Sequence, residues 1–227
     1  MRLPLGYTPP AQGQNLLLED TSSLAKKPAE LPMVPSHKLS ATEGDLLPDL
    51  QIYRRLLGLF FSSASNMQLS GFVDSNYGAC PDTRRSVTGF CVFLGNNLVS
   101  WKAKKQQTVS RSSCEAEYRA MTTTVCELVW LRSLLSSFKF DVPTASLYCD
   151  NQSAIHFANN QVFHERTKHV EVDCHFIRDK VRDGFIKLFH VRSTNQLADI
   201  FTKALHSPAF KSLVLKMGLL NIHSSPS

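Results

Sequence analysis

The spacing of apolar residues changes character near residue 68. Prolines occur at seven positions among the first 48 residues, and no apolar period of two or about 3.6 residues persists there. We therefore predict that residues 1–61 are largely irregular. Farther on, apolar runs of strand and helix length alternate with short polar turns. This pattern predicts one folded domain over residues 62–222 and a disordered tail over 223–227.

The predicted elements follow an α/β order. Three strands come first, with a hairpin turn at Gly95-Asn96-Asn97, and a long helix follows them. Strands and helices then alternate, which is typical of an α/β fold with an antiparallel start. The predicted strands are 69–74, 87–94, 98–101, 145–149 and 185–191. The predicted helices are 113–138, 151–160, 167–182, a short one after residue 195, and 207–218.

The long helix contains two glutamates that its pattern separates. With Ser112 as N-cap, Glu115 falls at the third helical position, where a capping box explains it. Glu117 instead lies in line with an apolar stripe that continues through Met121 and Val125 and should face the sheet. A carboxylate on a buried stripe is costly unless a cation or an ionic partner meets it. The pattern therefore favours a functional role for Glu117 and a structural role for Glu115.

Three aspartates occupy the ends of predicted elements. Asp74 ends an apolar strand, where it serves either to turn the chain or as a ligand. Asp150 closes the fourth strand and opens a helix. An N-cap role therefore competes with a place at the sheet edge where α/β folds bind ligands. Asp199 lies near the start of the short helix after Asn195, where it could merely complement the helix dipole.

Together, the four acids indicate metal-dependent chemistry. Four carboxylates at one sheet edge would repel one another by roughly a few kcal/mol in the absence of cations. Oxygen ligands suit Mg²⁺ or Mn²⁺, and two such ions about 4 Å apart serve phosphodiester displacement. One ion lowers the pKa of the attacking water, and the other stabilises the leaving 3′-oxygen. No Ser-His-Asp arrangement or phosphate-binding glycine loop in the sequence favours another chemistry.

Seven sequence blocks surround these acids. They are GFVDSNYGA (71–79), DTRRSVTGF (82–90), VSWKAKKQ (99–106), SRSSCEAEYRAM (110–121), YCDNQSA (148–154), HERTKHVEVDCHFIR (164–178) and QLADIFTKAL (196–205). In this order they resemble the ribonuclease H (RNase H) domain of copia-type LTR retrotransposon Pol polyproteins. The resemblance covers about residues 68–220.

The resemblance implies an RNase H-like fold, with a five-stranded mixed sheet flanked by helices. It also implies cleavage of the RNA strand of RNA–DNA hybrids with two Mg²⁺ ions, or Mn²⁺, and no small-molecule cofactor. Residue by residue, the metal-binding acids of the family fall on Asp74, Glu117, Asp150 and Asp199. The family's contacts with the minor groove of the hybrid fall near Ser112, Ser113 and Gln152.

The N-terminal region departs from the family pattern. Residues 5–10 and 38–56 resemble pieces of a copia reverse transcriptase, but the polymerase core between them is missing. We therefore expect a rearranged element copy without polymerase activity, whose partners are an RNA–DNA hybrid and an intact reverse transcriptase in trans. The competing hypothesis is a catalytically silent nucleic-acid-binding remnant. An integrase core is disfavoured, because it needs the order Asp-Asp-Glu where this chain has Asp-Glu-Asp-Asp.

Composition adds three points. The net charge of +6 lies entirely in residues 62–227, which favours a polyanionic partner. The six cysteines form no CxxC pair, which argues against a structural zinc site. No apolar run approaches the roughly 20 residues that span a bilayer, and the N-terminus lacks a signal-peptide pattern. We expect an intracellular protein without a membrane partner, either cytoplasmic within a virus-like particle or nuclear.

Overall fold

Five strands of the described chain form one mixed sheet. They are β2 (Leu69–Asn76), β3 (Val87–Leu94), β4 (Asn97–Lys105), β5 (Ala145–Cys149) and β6 (Ile186–His190). Their spatial order is β4-β3-β2-β5-β6. The pairs β2–β3 and β3–β4 are antiparallel, whereas β2–β5 and β5–β6 are parallel. The five-stranded mixed sheet expected from the sequence is therefore confirmed.

The computed structural model describes residues 57–59, 61–62, 65–159 and 168–221. All of them belong to the second of two compact units, Met33–Ser227. The predictions made for residues 1–56 and for the tail 223–227 lie outside the described residues. Within the described part, no helix combines the length and the apolar character that a membrane span requires.

Within the described residues, four α-helices flank the sheet, at the positions that the sequence predicts to within two residues. They are α1 (Ser113–Ser137), α2 (Gln152–Asn159), α3 (Lys168–Arg182) and α4 (Ser207–Lys216). The short helix predicted after Asn195 is a 3₁₀ helix, Leu197–Phe201, and a further 3₁₀ turn, Ser193–Asn195, precedes it.

The core has two layers, one on each face of the sheet. On the first face, the buried stripe of α1 packs against β2 and β3, and α3 packs against α1. On the second face, α4 and the 3₁₀ helix Leu197–Phe201 cover β3 and β4 through a smaller cluster. That cluster consists of Cys91, Phe93, Leu98, Leu197, Leu213 and Met217.

Two features differ from the predicted elements. A short antiparallel pair joins β1 (Leu57–Leu59), which falls in the segment predicted to be irregular, to β7 (Leu219–Asn221) near the end of the chain. Local patterns do not reveal such a pair, because each strand is ordered by a distant partner. Strand β4 also extends to Lys105, four residues beyond its predicted end, because its exposed part pairs with β3 as far as Val87.

Gly89 of β3 permits a close approach of the 3₁₀ helix Leu197–Phe201 to the sheet. A Cβ atom at Gly89 would lie 2.5 Å from Thr202 Cγ2, 2.9 Å from Phe201 Cβ and 3.1 Å from the Ala198 carbonyl oxygen. No side chain fits at these distances without displacing the helix. This contact therefore determines how closely residues 197–202 pack against β3.

We predict that Gly89→Ala lowers the free energy of unfolding by about 1–3 kcal/mol, because the added methyl group must push this segment off the sheet. The measurement is the midpoint of thermal or urea unfolding. The matched background is Thr202→Ser, which removes the Cγ2 methyl group and retains the hydroxyl group. In that background Gly89→Ala should lower the free energy of unfolding by less than it does in the wild type. Equal losses in both backgrounds would contradict the steric explanation.

Candidate active site

Asp74 and Asp150 lie side by side at the carboxyl ends of two inner strands of the sheet. Strands β2 and β5 are parallel, and Val73 is in register with Cys149. The residues that follow these two positions therefore emerge at the same edge, as expected for the carboxyl ends of parallel strands. Asp74 is buried, whereas Asp150 is half-buried and its Oδ2 accepts a hydrogen bond of 3.2 Å from Ser193 Oγ.

Helix α1 brings Glu117 to the same edge. Its side chain is 5% exposed and shares a buried stripe with Met121 and Val125, as the apolar pattern predicts. The backbone N–H of Ser75, next to Asp74, donates a hydrogen bond of 3.1 Å to Glu117 Oε1. Glu117 is thereby attached to the strand that carries the first aspartate.

Glu115 has the structural role that the sequence assigns to it. Its backbone N–H donates to Ser112 Oγ at 3.1 Å, and its carboxylate pairs with Arg119 at 2.8 Å. The second bond of the capping box differs slightly from the standard pattern, because Glu115 Oε2 accepts from the Arg111 N–H at 2.8 Å. These contacts fix the start of α1, which lies one helical turn before Glu117.

Asp199 reaches the cluster through a buried glutamine that the sequence analysis missed. Gln196 is fully buried, and its Nε2 donates to the Val73 carbonyl oxygen of β2 at 2.8 Å. Its Oε1 accepts from the Ala198 N–H at 3.2 Å and so caps the 3₁₀ helix that contains Asp199. One side chain thus joins the helix of the fourth acid to the strand of the first.

The structure brings all four predicted acids to one end of the sheet. Carboxylate oxygens of Asp74, Asp150 and Asp199 lie within 4.8 Å of one another. A second group within the same limit contains Glu117, Asp150 and the Sγ atom of Cys149. Asp150 belongs to both groups, so its carboxylate lies near those of Asp74, Asp199 and Glu117.

Burial and mutual repulsion oppose the ionisation of this cluster. Burial, with the charges of Asp74 and Asp150, raises the pKa of Glu117 to about 9. Burial also raises the pKa of Asp199 to about 6, although its hydrogen bond to Lys203 opposes the shift. A bound divalent cation would favour the ionised forms. The donors are hard carboxylate oxygens, so the cluster fits Mg²⁺ or Mn²⁺.

Cys149 adds no soft ligand to this set. Its Sγ is 3.8 Å from Glu117 Oε2, and burial, followed by the charge of Glu117, raises the pKa of the thiol. A thiol that remains protonated does not bind a hard cation. The oxygen ligands alone therefore define the candidate metal centre.

Lys203 and Thr202 also contact the acids, and the sequence analysis missed both. Lys203 Nζ lies 3.1 Å from Asp74 Oδ1 and 2.7 Å from Asp199 Oδ1. Thr202 Oγ1 donates a short hydrogen bond to Asp74 Oδ2. Burial lowers the pKa of Lys203, but the charges and hydrogen bonds of Asp74 and Asp199 outweigh burial and raise it overall. The available sequence signal was the i, i+4 spacing of Asp199 and Lys203.

A buried glutamine also positions the loop before α1. Gln106 Nε2 donates to the Ala116 carbonyl oxygen at 2.9 Å and to Thr88 Oγ1 at 3.0 Å, and Gln106 Oε1 accepts from Ser110 Oγ at 3.0 Å. These bonds tie β3, the loop and the first turn of α1 together next to Glu117. The sequence pattern does not reveal this network, because its members lie 4 to 18 residues from Gln106 in three different elements.

The predicted substrate contacts lie at the N-termini of the two helices that adjoin the acids. Ser112 is the N-cap of α1 and Ser113 its first residue, and Gln152 is the first residue of α2. All three side chains are exposed. The Ser112 hydroxyl group already caps α1. Contact of these residues with nucleic acid stays a prediction.

The strand order defines the class of fold. A five-stranded mixed sheet in the order β4-β3-β2-β5-β6, flanked by helices, is the RNase H-like fold. The chain is homologous to a segment of the retrovirus-related Pol polyproteins of plant transposons. No protein-family model matches the chain.

Two of the sequence relatives are Pol polyproteins of plant transposons. The chain is 32% identical over 258 aligned residues to the Pol polyprotein of transposon RE1 from Arabidopsis thaliana, which covers 92% of this chain and 18% of that protein. It is 34% identical over 157 residues to the Pol polyprotein of transposon TNT 1-94 from Nicotiana tabacum. This alignment covers 69% of this chain and 12% of the tobacco polyprotein. The chain thus spans less than a fifth of the length of these relatives.

Solved structures with a similar arrangement include two RNase H proteins. One is the N-terminal RNase H domain of a Mycobacterium tuberculosis protein, with a TM-score of 0.45, 13% identity, and coverage of 66% of this chain and 98% of that chain. The other is the RNase H1 called LC11, in complex with an RNA/DNA hybrid, with a TM-score of 0.44, 13% identity, and coverage of 60% and 94%.

We predict that Glu117→Gln stabilises the metal-free protein as the pH rises from 5 to 8. The folded pKa of Glu117, about 9, lies above the ordinary value of 4.5. Its stability contribution is therefore complete below pH 4.5 and is lost as the pH rises through 9. A neutral glutamine removes this loss. In EDTA at pH 8 the midpoint of thermal unfolding should be at least about 4 °C higher for the variant than for the wild type. The figure assumes a shift of roughly 2–4 °C for each kcal/mol of added stability.

The matched control is Glu127→Gln on the same helix, where the carboxylate accepts a hydrogen bond of 2.7 Å from Ser100 outside the cluster. The advantage of Glu117→Gln over this control should grow with pH in EDTA. An advantage that stays constant, or that shrinks, would contradict the assigned electrostatics.

Proposed function

We propose that this chain is a metal-dependent endoribonuclease that hydrolyses the RNA strand of RNA–DNA hybrids. The observation that carries the proposal is the meeting of four carboxylates at the end of β2 and β5, where an oxygen of Asp150 lies within 4.8 Å of carboxylate oxygens of Asp74, Asp199 and Glu117. Homology to Pol polyproteins supports a role in reverse transcription, which produces such hybrids.

The proposed chemistry divides between the ions and the protein. Two Mg²⁺ or Mn²⁺ ions bound by the acids would lower the pKa of the attacking water and stabilise the leaving 3′-oxygen. The protein holds the carboxylates in place through the Ser75 N–H on Glu117 and through Gln196 beside Asp199. Because these supports are buried hydrogen bonds, the acids keep their geometry before the substrate arrives.

The proposed substrate surface lies at the exposed N-termini of α1 and α2. N-terminal N–H groups and hydroxyl groups suit phosphates, and minor-groove contacts from Ser112, Ser113 and Gln152 would distinguish RNA from DNA by its 2′-hydroxyl groups. The net charge of +6 favours association with a polyanion. We further propose that the chain acts inside the cell, beside an intact reverse transcriptase in trans.

We expect the purified 227-residue chain to cleave the RNA of a labelled RNA–DNA hybrid in Mg²⁺ or Mn²⁺. The products should carry 3′-hydroxyl ends. Asp150→Asn should reduce the rate by at least about 100-fold, because it removes a charge shared by both ligand groups and costs several kcal/mol of transition-state stabilisation. EDTA should abolish cleavage, and Glu127→Gln should leave it unchanged.

A folded chain that binds the hybrid without cutting it in either metal would contradict the proposal. That result would instead support the catalytically silent nucleic-acid-binding remnant. Cleavage that persists in Asp150→Asn would contradict the assignment of the site, since it would indicate a different or contaminating nuclease.

A further inference from the structure

The acid cluster contains its own cation. The ammonium group of Lys203 bridges Asp74 and Asp199, with one carboxylate oxygen of each within 3.1 Å. No other lysine or arginine in the described part of the chain makes an ion pair with the four acids. The side chain of Lys203 is 36% exposed, whereas that of Asp74 is 2% exposed.

We propose that Lys203 is an internal counter-ion, which holds Asp74 and Asp199 together until a divalent cation displaces its ammonium group. Lys203 thereby sets the affinity of the site for that cation. The inference rests on the proposed function in one respect, namely that the four acids bind a divalent cation.

The first step of the argument is competition for the same atoms. A cation bound between Asp74 and Asp199 needs oxygens that Lys203 now uses, and the remaining oxygen of Asp74 accepts from Thr202. Both oxygens of Asp74 are therefore occupied by protein donors in the absence of metal. An ammonium group and a divalent ion at these distances also repel each other strongly in a partly buried site. Metal binding and the Lys203 bridge therefore oppose one another.

The second step concerns which of the two donors can leave. The backbone at Thr202 is fixed, because its carbonyl oxygen accepts a hydrogen bond of 2.9 Å from Asn76 Nδ2 and its methyl group lies against Gly89. Lys203 carries its charge on a flexible four-carbon chain that is partly in solvent. The ammonium group can therefore withdraw by rotation of its side chain, without movement of the 3₁₀ helix that carries Asp199.

The test measures Mn²⁺ binding to the full chain by the loss of the free-ion signal in electron paramagnetic resonance. Lys203→Met should bind Mn²⁺ about tenfold or more tightly than the wild type, because one competing positive charge is gone. In EDTA the same variant should unfold at a lower temperature, because Asp74 and Asp199 lose their counter-ion. Lys203→Arg retains the positive charge and should bind Mn²⁺ with the affinity of the wild type.

The matched control is Lys216→Met. Lys216 is an exposed lysine whose Nζ contacts Asn195 Oδ1 at 2.9 Å, and it makes no ion pair with the acids. Its loss removes the same charge from the same part of the chain and should leave Mn²⁺ affinity within about twofold of the wild type. An equal gain in affinity in both variants would overturn the proposal, since it would reflect net charge alone.

Unchanged or weaker Mn²⁺ binding by Lys203→Met would also overturn the inference. If that variant fails to fold, the unmodified chain gives the answer through nuclear magnetic resonance of its lysine ammonium groups. The Lys203 signal, identified by its absence in Lys203→Arg, should shift as Mg²⁺ saturates the site; a signal that stays unchanged overturns the inference. These readouts involve no nucleic acid, so failure of the proposed function would be seen separately, as a hybrid that remains uncut while Mn²⁺ binds.

Discussion

Repulsion among buried carboxylates is the constraint on which the rest of this structure depends. Two like charges 4 Å apart repel by about 4 kcal/mol at the effective dielectric constant of a protein surface, and burial adds the loss of hydration. Asp74, Glu117 and Asp199 are all buried at one end of the sheet. Such a cluster persists only if the scaffold holds it rigidly and if protons or cations neutralise it. The raised pKa of Glu117 favours neutralisation of its carboxylate by a proton. The Lys203 bridge supplies a cation to Asp74 and Asp199.

The scaffold meets this constraint by attaching each acid to the central strand β2. Asp74 belongs to β2, Asp150 follows its parallel neighbour β5, and Glu117 accepts a hydrogen bond from the residue after Asp74. Asp199 is attached through Gln196, which donates to β2 as well. The fold therefore acts as a frame that brings four distant sequence positions to one place, and the function proposed here follows from that convergence.

The sequence predicts the parts of this arrangement that depend on local periodicity. Glu117 is distinguished from Glu115 because a helical stripe has a fixed spacing. The strand ends leave structural roles open for Asp74 and Asp150, and the family resemblance selects both as metal ligands. Gln196, Gln106 and Lys203 could not be predicted in the same way, because their roles depend on partners 10 to 129 residues away. The β1–β7 pair was missed for the same reason, since its two strands come from opposite ends of the described chain. Tertiary contacts, rather than propensities, decide these features.

The central claim is that the four carboxylates form a centre for divalent cations, and the most direct measurement is anomalous diffraction from crystals of the chain grown with Mn²⁺. The account predicts anomalous density beside Asp150, within roughly 2–2.5 Å of carboxylate oxygens of the cluster, with the Lys203 ammonium group displaced from Asp74. Crystals that show ordered acids without anomalous density among them, at Mn²⁺ concentrations that support cleavage, would contradict it.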